Sequence, residues 1–218
     1  MNLVRRDEGR GSALATHPAH WLPGDWMNHS LQCRCGSVRG HVLRTSDASR
    51  GVCYCKDCQA YAQWLGRAAD VLDPAGGTEI MAIEPAQVAF SQGRDRLRCV
   101  TLTEKGPLRW YADCCKTPIG NTPRGAGTPY LGLVHVALAR TSPTIEQSFG
   151  PVKIRLNTGS ALAKVDKTGS LATVGVMLGL MRRMLRARLN GSYRNNPFFH
   201  TDGKPLSPPQ RVLTAEGR

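Results

Sequence analysis

The sequence predicts a mainly β fold: an antiparallel sheet with one or more zinc sites, followed by a C-terminal helix. Three observations point there. Short apolar runs alternate with Gly and Pro along the middle of the chain, the cadence of strands joined by turns. The composition holds 23 Gly and 14 Pro with only 6% aromatic residues, which argues against a helical bundle. Seven of the eight cysteines fall into three tight clusters, Cys33-Arg34-Cys35, Cys53-Tyr54-Cys55-Lys56-Asp57-Cys58 and Cys114-Cys115. Soft donors at such short spacings are what a zinc ion needs.

The 218 residues suffice for one sizeable domain with extensions or for two small ones. The expected division is an irregular N-terminal arm over 1–28, a zinc-binding β domain over 29–160, and a C-terminal helix with an extended basic tail over 161–218. A formal net charge of +13 favours an anionic partner, whether nucleic acid, phospholipid or a small acidic ligand. The excess after Arg182 makes the basic C-terminal region the candidate polyanion surface. At the start, Arg5, Arg6, Asp7, Glu8 and Arg10 precede no apolar stretch, so a secretory signal is not expected and a cytoplasmic location is. In that reducing compartment the cysteines read as metal ligands, catalytic thiols or core residues rather than disulfides.

Taken in order, His17 and His20 are spaced for a metal, but Pro18 between them opposes a helix presenting both. His29 is a ligand candidate through its nearness to Cys33, although a core or surface role is the stronger reading. Residues 31–43 read as a strand, a turn at Gly36 and a second strand. In Cys33-x-Cys35 both sulfurs leave an extended strand on one side. Residues 52–55 form another short strand and 56–65 a helix ended by Gly66. Cys53, Cys55 and Cys58 then form a half-cage that lacks a fourth donor. Tyr61, Trp64 and Leu65 share a helical face, which reads as core packing; the functional alternative makes Tyr61 or Trp64 the wall of a pocket beside the metal.

A turn at 73–77 leads to strands over 78–83, 87–91, 97–103 and 108–112, separated by Pro85, Gly93 and Gly106-Pro107. Cys99, in mid-strand, reads as a small buried apolar side chain. Cys114 and Cys115 return thiols to the site, and 130–138 is a further strand with His135 near its middle, read as a hydrogen-bonded core residue. The apolar run 171–181, followed by Arg182, Arg183, Arg186 and Arg188, is too short to span a bilayer. It reads as a helix with its apolar face docked on the domain and Gly191 as its stop; a membrane-surface helix is the alternative. Phe198 and Phe199 tie down a Pro-rich tail. The chain carries no nucleotide-binding glycine loop, nucleophile elbow or zinc-protease helix motif.

The segments Cys33-Arg34-Cys35-Gly36-Ser37-Val38-Arg39, Cys53-Tyr54-Cys55-Lys56-Asp57-Cys58 and Ala112-Asp113-Cys114-Cys115-Lys116-Thr117-Pro118 resemble the family of glutathione-dependent formaldehyde-activating enzymes and centromere protein V. The third segment departs from the family's Cys-x-x-Cys: Ala112 stands at the first cysteine and Cys114 is an extra thiol. The resemblance covers about residues 31–140 and implies an Mss4-like β fold with two zinc ions. It implies that Cys33, Cys35 and Cys115 hold a structural zinc, and that Cys53, Cys55 and Cys58 hold a catalytic one. Cys114 either completes the first set, which needs a bent backbone, or turns to the second and closes it. An open second site implies a carbon-sulfur lyase joining a small thiol such as glutathione to formaldehyde or another aldehyde, with Arg34, Arg39, Lys56 or Arg67 near the thiol's carboxylates. The alternative is a non-catalytic, zinc-stabilised binding module for nucleic acid or another polyanion.

Overall fold

The computed structural model describes residues 28–138 and 143–212; the arm containing His17 and His20 lies outside the described residues. Strands β1 (His29–Gln32) and β2 (Arg39–Val42) pair antiparallel across a turn in which Gly36 has φ +78°, a left-handed conformation that glycine adopts without penalty. Strand β5 (Val88–Gln92) joins β2 to complete a three-stranded sheet. The approach is close: a Cβ on Gly40 would sit 2.4 Å from the carbonyl oxygen of Ala89.

The second sheet has eight strands, β3 (Ser49–Cys53), β4 (Thr78–Ile83), β6 (Leu97–Thr101), β7 (Leu108–Ala112), β8 (Thr117–Thr122), β9 (Leu131–Val134), β10 (Ile154–Leu156) and β11 (Gln210–Arg211). Their order is β10-β3-β4-β9-β8-β7-β6-β11. The inner strands are antiparallel, whereas β10 runs parallel to β3 and β11 parallel to β6. The molecule is thus mainly β, with two sheets and a C-terminal helix. Leu31, Val38 and Val42 of the small sheet share one apolar core with Met81, Leu97, Trp110 and Leu133 of the large one. On another face, helix α1 (Lys56–Trp64) packs Tyr61 and Leu65 against Val100, Leu102 and Tyr111.

Several expected elements shift. The strand expected over 97–103 stops at Thr101, where the Thr101 hydroxyl bonds the Thr103 carbonyl (2.6 Å) and turns the chain. The one expected over 130–138 stops at Val134, so His135 opens a 3-10 turn and is not a mid-strand residue; its Nδ1 lies 3.3 Å from the Glu79 carbonyl oxygen. Strand β8 was not expected at all, because Pro118, Gly120 and Asn121 are poor strand formers. Position decides: β8 lies between the buried strands β7 and β9, and Pro118 is accommodated where the β7 register slips between Trp110 and Tyr111. His29 is a core residue, 2.8 Å from the Ser148 hydroxyl and 3.0 Å from the Leu138 carbonyl. Burial lowers its pKa, partly offset by the Leu138 contact.

Two short helices, α2 (Ala68–Val71) and α3 (Ile145–Phe149), precede the long α4 (Ser170–Leu189), which ends at Gly191 in the left-handed conformation. Helix α4 turns one apolar side to the domain and leaves a second one exposed, where a single docked apolar face is expected. It rests on the domain through half-buried Val176, Leu180, Met184 and Arg183 and through buried Ala187, with Arg183 Nη2 donating to Ser49 Oγ at 2.9 Å. The larger apolar residues point to solvent, Leu171 at 90% exposure and Leu189 at 80%. The apolar run is wide enough to cover two sides of the helix, and the domain uses only one.

The described residues after α4, 190–212, pack into the fold through Phe198 and Phe199. Phe198 is fully buried, with ring centroids 5.3 Å from Trp110 and 5.6 Å from Phe90. Phe198→Ala is expected to cost about 3–5 kcal/mol, as for other buried aromatic truncations; urea denaturation of the variant against the wild type checks this.

Candidate metal centres

Backbone geometry brings the thiols into two groups. Cys33 and Cys35 lead into the turn at Gly36, held by the Val38 carbonyl accepting from the Cys33 amide at 2.9 Å. Cys114 and Cys115 sit in the four-residue loop between β7 and β8, closed by the Lys116 amide donating to the Ala112 carbonyl at 2.9 Å, with Lys116 at φ 57°. On a strand, neighbouring side chains diverge; on this bent loop they converge. Cys114 Sγ lies 3.3 Å from Cys35 Sγ, 3.8 Å from Cys33 Sγ and 3.8 Å from Cys115 Sγ. All four sulfurs lie within 4.8 Å of one another. Cys114 therefore joins the first set and does not turn to Cys53.

Hydrogen bonds favour thiolate character in this group. The Val38 amide donates to Cys33 Sγ at 3.2 Å. The Arg34 amide donates to Thr117 Oγ1 (3.0 Å), which leaves that hydroxyl's proton for Cys115 Sγ at 3.1 Å. The Ser37 hydroxyl, then its amide, pull the Cys35 pKa down to about 6, while burial raises Cys33 and Cys114. Contacting thiols cannot all ionise unaided; a cation among them removes that conflict.

The second group, Cys53, Cys55 and Cys58, likewise has its sulfurs within 4.8 Å. Cys53 ends β3, Cys55 caps α1, and Cys58 lies in the first helical turn with its amide donating to Cys55 Sγ at 3.4 Å. The positive end of the α1 dipole therefore faces these sulfurs. The neighbouring thiols, then the backbone and the Asn157 amide, lower the pKa of Cys53 against its burial; the contact with Cys53 is the first cause that raises Cys55 and Cys58. Asn157 Nδ2 donates to Cys53 Sγ at 3.3 Å from a backbone with φ 54° just after β10. Arg109, only 4% exposed, donates from Nη1 to Cys58 Sγ (3.7 Å) and from Nη2 to Asp57 (3.4 Å), and lies 5.5 Å from the Tyr61 ring centre. Burial opposes its charge, but Cys58 and Asp57 outweigh that and hold its pKa above the ordinary value. Three thiolates around a divalent cation would leave one negative charge, which Arg109 offsets.

Beside this group, buried polar atoms lack hydrogen-bond partners: Thr78 Oγ1, Arg109 Nε and Asn121 Oδ1. Thr78 is directly opposite Cys53 on β4, and Asn121 directly opposite Arg109 on β8, so each pair shares a face. Tyr130 is near enough to the sulfurs that the charges of Cys53 and Cys58, after burial, help push its pKa up to about 12. Of the three thiols, Cys53 and Cys58 are buried and Cys55 is half-exposed, which makes Cys55 the outward side. Both groups could hold a metal ion, since clustered thiolates with satisfied outer hydrogen bonds are a fitting donor set.

The other candidates scatter. Cys99 is buried and bonds the Ser207 carbonyl (3.4 Å), away from both groups. Tyr61 is core, its hydroxyl donating to the Trp110 carbonyl (3.1 Å), whereas Trp64 is partly exposed and stacks on it. Arg34 and Arg67 line one cavity of about 190 Å³ beside the four-thiol group; Arg67 pairs with Asp70, and Arg39 turns back to the Gly36 carbonyl. Asn157, Arg109, Tyr130 and Thr78 were missed by sequence reasoning. Only Arg109 left a trace, as a charge within an apolar strand.

Cys115→Ser is expected to lower the metal content of the purified protein by about one ion per chain, and Cys99→Ser to leave it unchanged. Mass spectrometry of elemental content, normalised to protein, checks both.

No curated protein matches the chain. Among the described residues, no helix is long and apolar enough to cross a membrane. A family model described as a family of unknown function (DUF6151) matches residues 27–208, a span that holds both thiol groups, Asn157, α4 and Phe198. The chain belongs to that family.

Proposed function

We propose that this protein is a zinc-dependent carbon-sulfur lyase of the Mss4-like type, acting on the adduct of a small thiol, such as glutathione, with formaldehyde or a related aldehyde. The observation that carries the reading is the contrast between the two groups: four thiols in one, and in the other three thiols beside unsatisfied buried polar atoms. A saturated set suits a structural ion, and a set of three suits one that exchanges its remaining ligand. In this reading Cys33, Cys35, Cys114 and Cys115 hold the structural zinc, and Cys53, Cys55 and Cys58 hold the reactive one. Zinc held by three thiolates supplies Lewis acidity and affinity for a further sulfur or oxygen ligand.

The chain's own groups then have distinct tasks. Arg109 balances the charge of the metal-bound thiolates and favours the ionised form of Cys58. Asn157 fixes the orientation of Cys53 by donating to its sulfur, as outer partners do at metal sites. The Tyr130 hydroxyl, its pKa raised, stays protonated and can donate to a developing alkoxide. In the forward direction the thiol sulfur adds to the carbonyl carbon, the carbon-oxygen π bond opens, and the thiol proton ends on oxygen; the lyase direction reverses each change.

Zinc-loaded protein is expected to accelerate both formation and breakdown of the glutathione-formaldehyde adduct over the uncatalysed exchange, followed by NMR line exchange. Asn157→Gly tolerates the left-handed backbone and should keep the metal while lowering that rate about 10- to 100-fold. A loaded protein that changes neither direction removes the lyase reading.

A further inference from the structure

Helix α4 has two apolar sides, and one has no protein partner among the described residues. Leu171, Val174, Leu178, Met181, Leu185 and Leu189 are all exposed, and at spacings of three and four they form one stripe along the helix. The opposite side rests on the domain through Val176, Leu180, Met184 and Ala187. On the wheel, Arg182 and Arg186 border one edge of the exposed stripe and Arg188 the other, and all three are exposed. Between Asp166 and Asp202 the chain contains no acidic residue.

We propose that α4 is an interfacial helix that lays this stripe into an anionic lipid surface. The charge pattern selects the partner. Arginines along both borders of an apolar stripe can bury their stems with it and place their guanidinium groups among phosphate headgroups. A second copy of the chain would meet the stripe with more arginines and no acid to pair them. The area agrees: a 20-residue helix is about 30 Å long, and a stripe about 10 Å wide covers on the order of 300 Å². A stable dimer needs roughly 800 Å² per partner, whereas a lipid surface sets no such threshold. Nucleic acid would engage the arginines and leave the leucines in water. The helix lies on the membrane rather than across it, since no helix among the described residues is long and apolar enough to span.

The test is co-sedimentation of the full-length protein with vesicles of phosphatidylcholine alone or with an equal share of phosphatidylglycerol. Binding is expected to the anionic vesicles and to weaken with salt. Leu178→Gln with Leu185→Gln should lower the partition coefficient at least tenfold. Arg182→Gln with Arg186→Gln should do the same on anionic vesicles and leave the weak binding to neutral ones unchanged. Both pairs are exposed and should keep the wild-type circular dichroism. A wild-type protein that stays in the supernatant with anionic vesicles overturns the proposal, and so does a leucine variant that binds as well as wild type. If, without vesicle binding, light scattering shows a dimer that the leucine variant dissociates, the face belongs to a second copy instead.

Discussion

Seven sulfurs gathered at contact distance impose the constraint on which the rest of this structure depends. Thiols can pack together while protonated, but as thiolates they repel, and each deprotonation makes the next harder. In the three-thiol group the pKa directions split, Cys53 down against Cys55 and Cys58 up, first through the hydrogen bonds among the thiols, in which one sulfur can ionise only while its neighbours keep their protons. A divalent cation reverses it, turning the worst electrostatic arrangement in the chain into a favourable one. The four thiols come from positions as far apart as Cys33 and Cys115, so an ion held among them would clamp the small sheet's first turn to the β7–β8 loop. Metal binding there would be coupled to the final packing of the two sheets.

The three-thiol group extends the same electrostatics into the interior. Arg109 is a guanidinium almost wholly out of water, a costly placement unless an anion faces it. Asp57 is one such anion, Cys58 would be a second once a metal ion displaced its proton, and the Tyr61 ring face adds a further contact. These contacts of the buried charge tie the strand β7 to the helix α1. The unsatisfied atoms of Thr78 and Asn121 fit the same logic, since isolated buried polar groups are expensive and native proteins keep few of them. At a site that takes in a polar ligand they are poised rather than wasted.

Much of this was legible in the sequence because the strongest signals are local. The Cys-x-Cys and Cys-x-x-Cys spacings, the Gly36 turn, the α1 span and strands β4 and β7 follow from side-chain periodicity and turn residues within a few positions. What escaped was set by tertiary neighbours. Strand β8 forms from poor strand residues because two buried strands demand a partner between them. The parallel edges β10 and β11 join the sheet from remote positions, a pairing no local pattern announces. Asn157 reaches Cys53 for the same reason, over 104 residues. Cys114 and Cys115 look incompatible as common ligands when read as a strand, and the bent loop removes the objection. The two-sided apolar surface of α4 was read as a docking face because hydropathy reports how much of a helix is apolar, not how much of it the domain covers.

The most direct measurement is X-ray absorption at the zinc edge of the protein purified under reducing conditions without chelator. The account predicts zinc in a mostly sulfur environment with a minor shell of one lighter oxygen or nitrogen ligand, the average of a four-sulfur and a three-sulfur site. Absence of zinc, or a first shell made chiefly of oxygen and nitrogen, would contradict it.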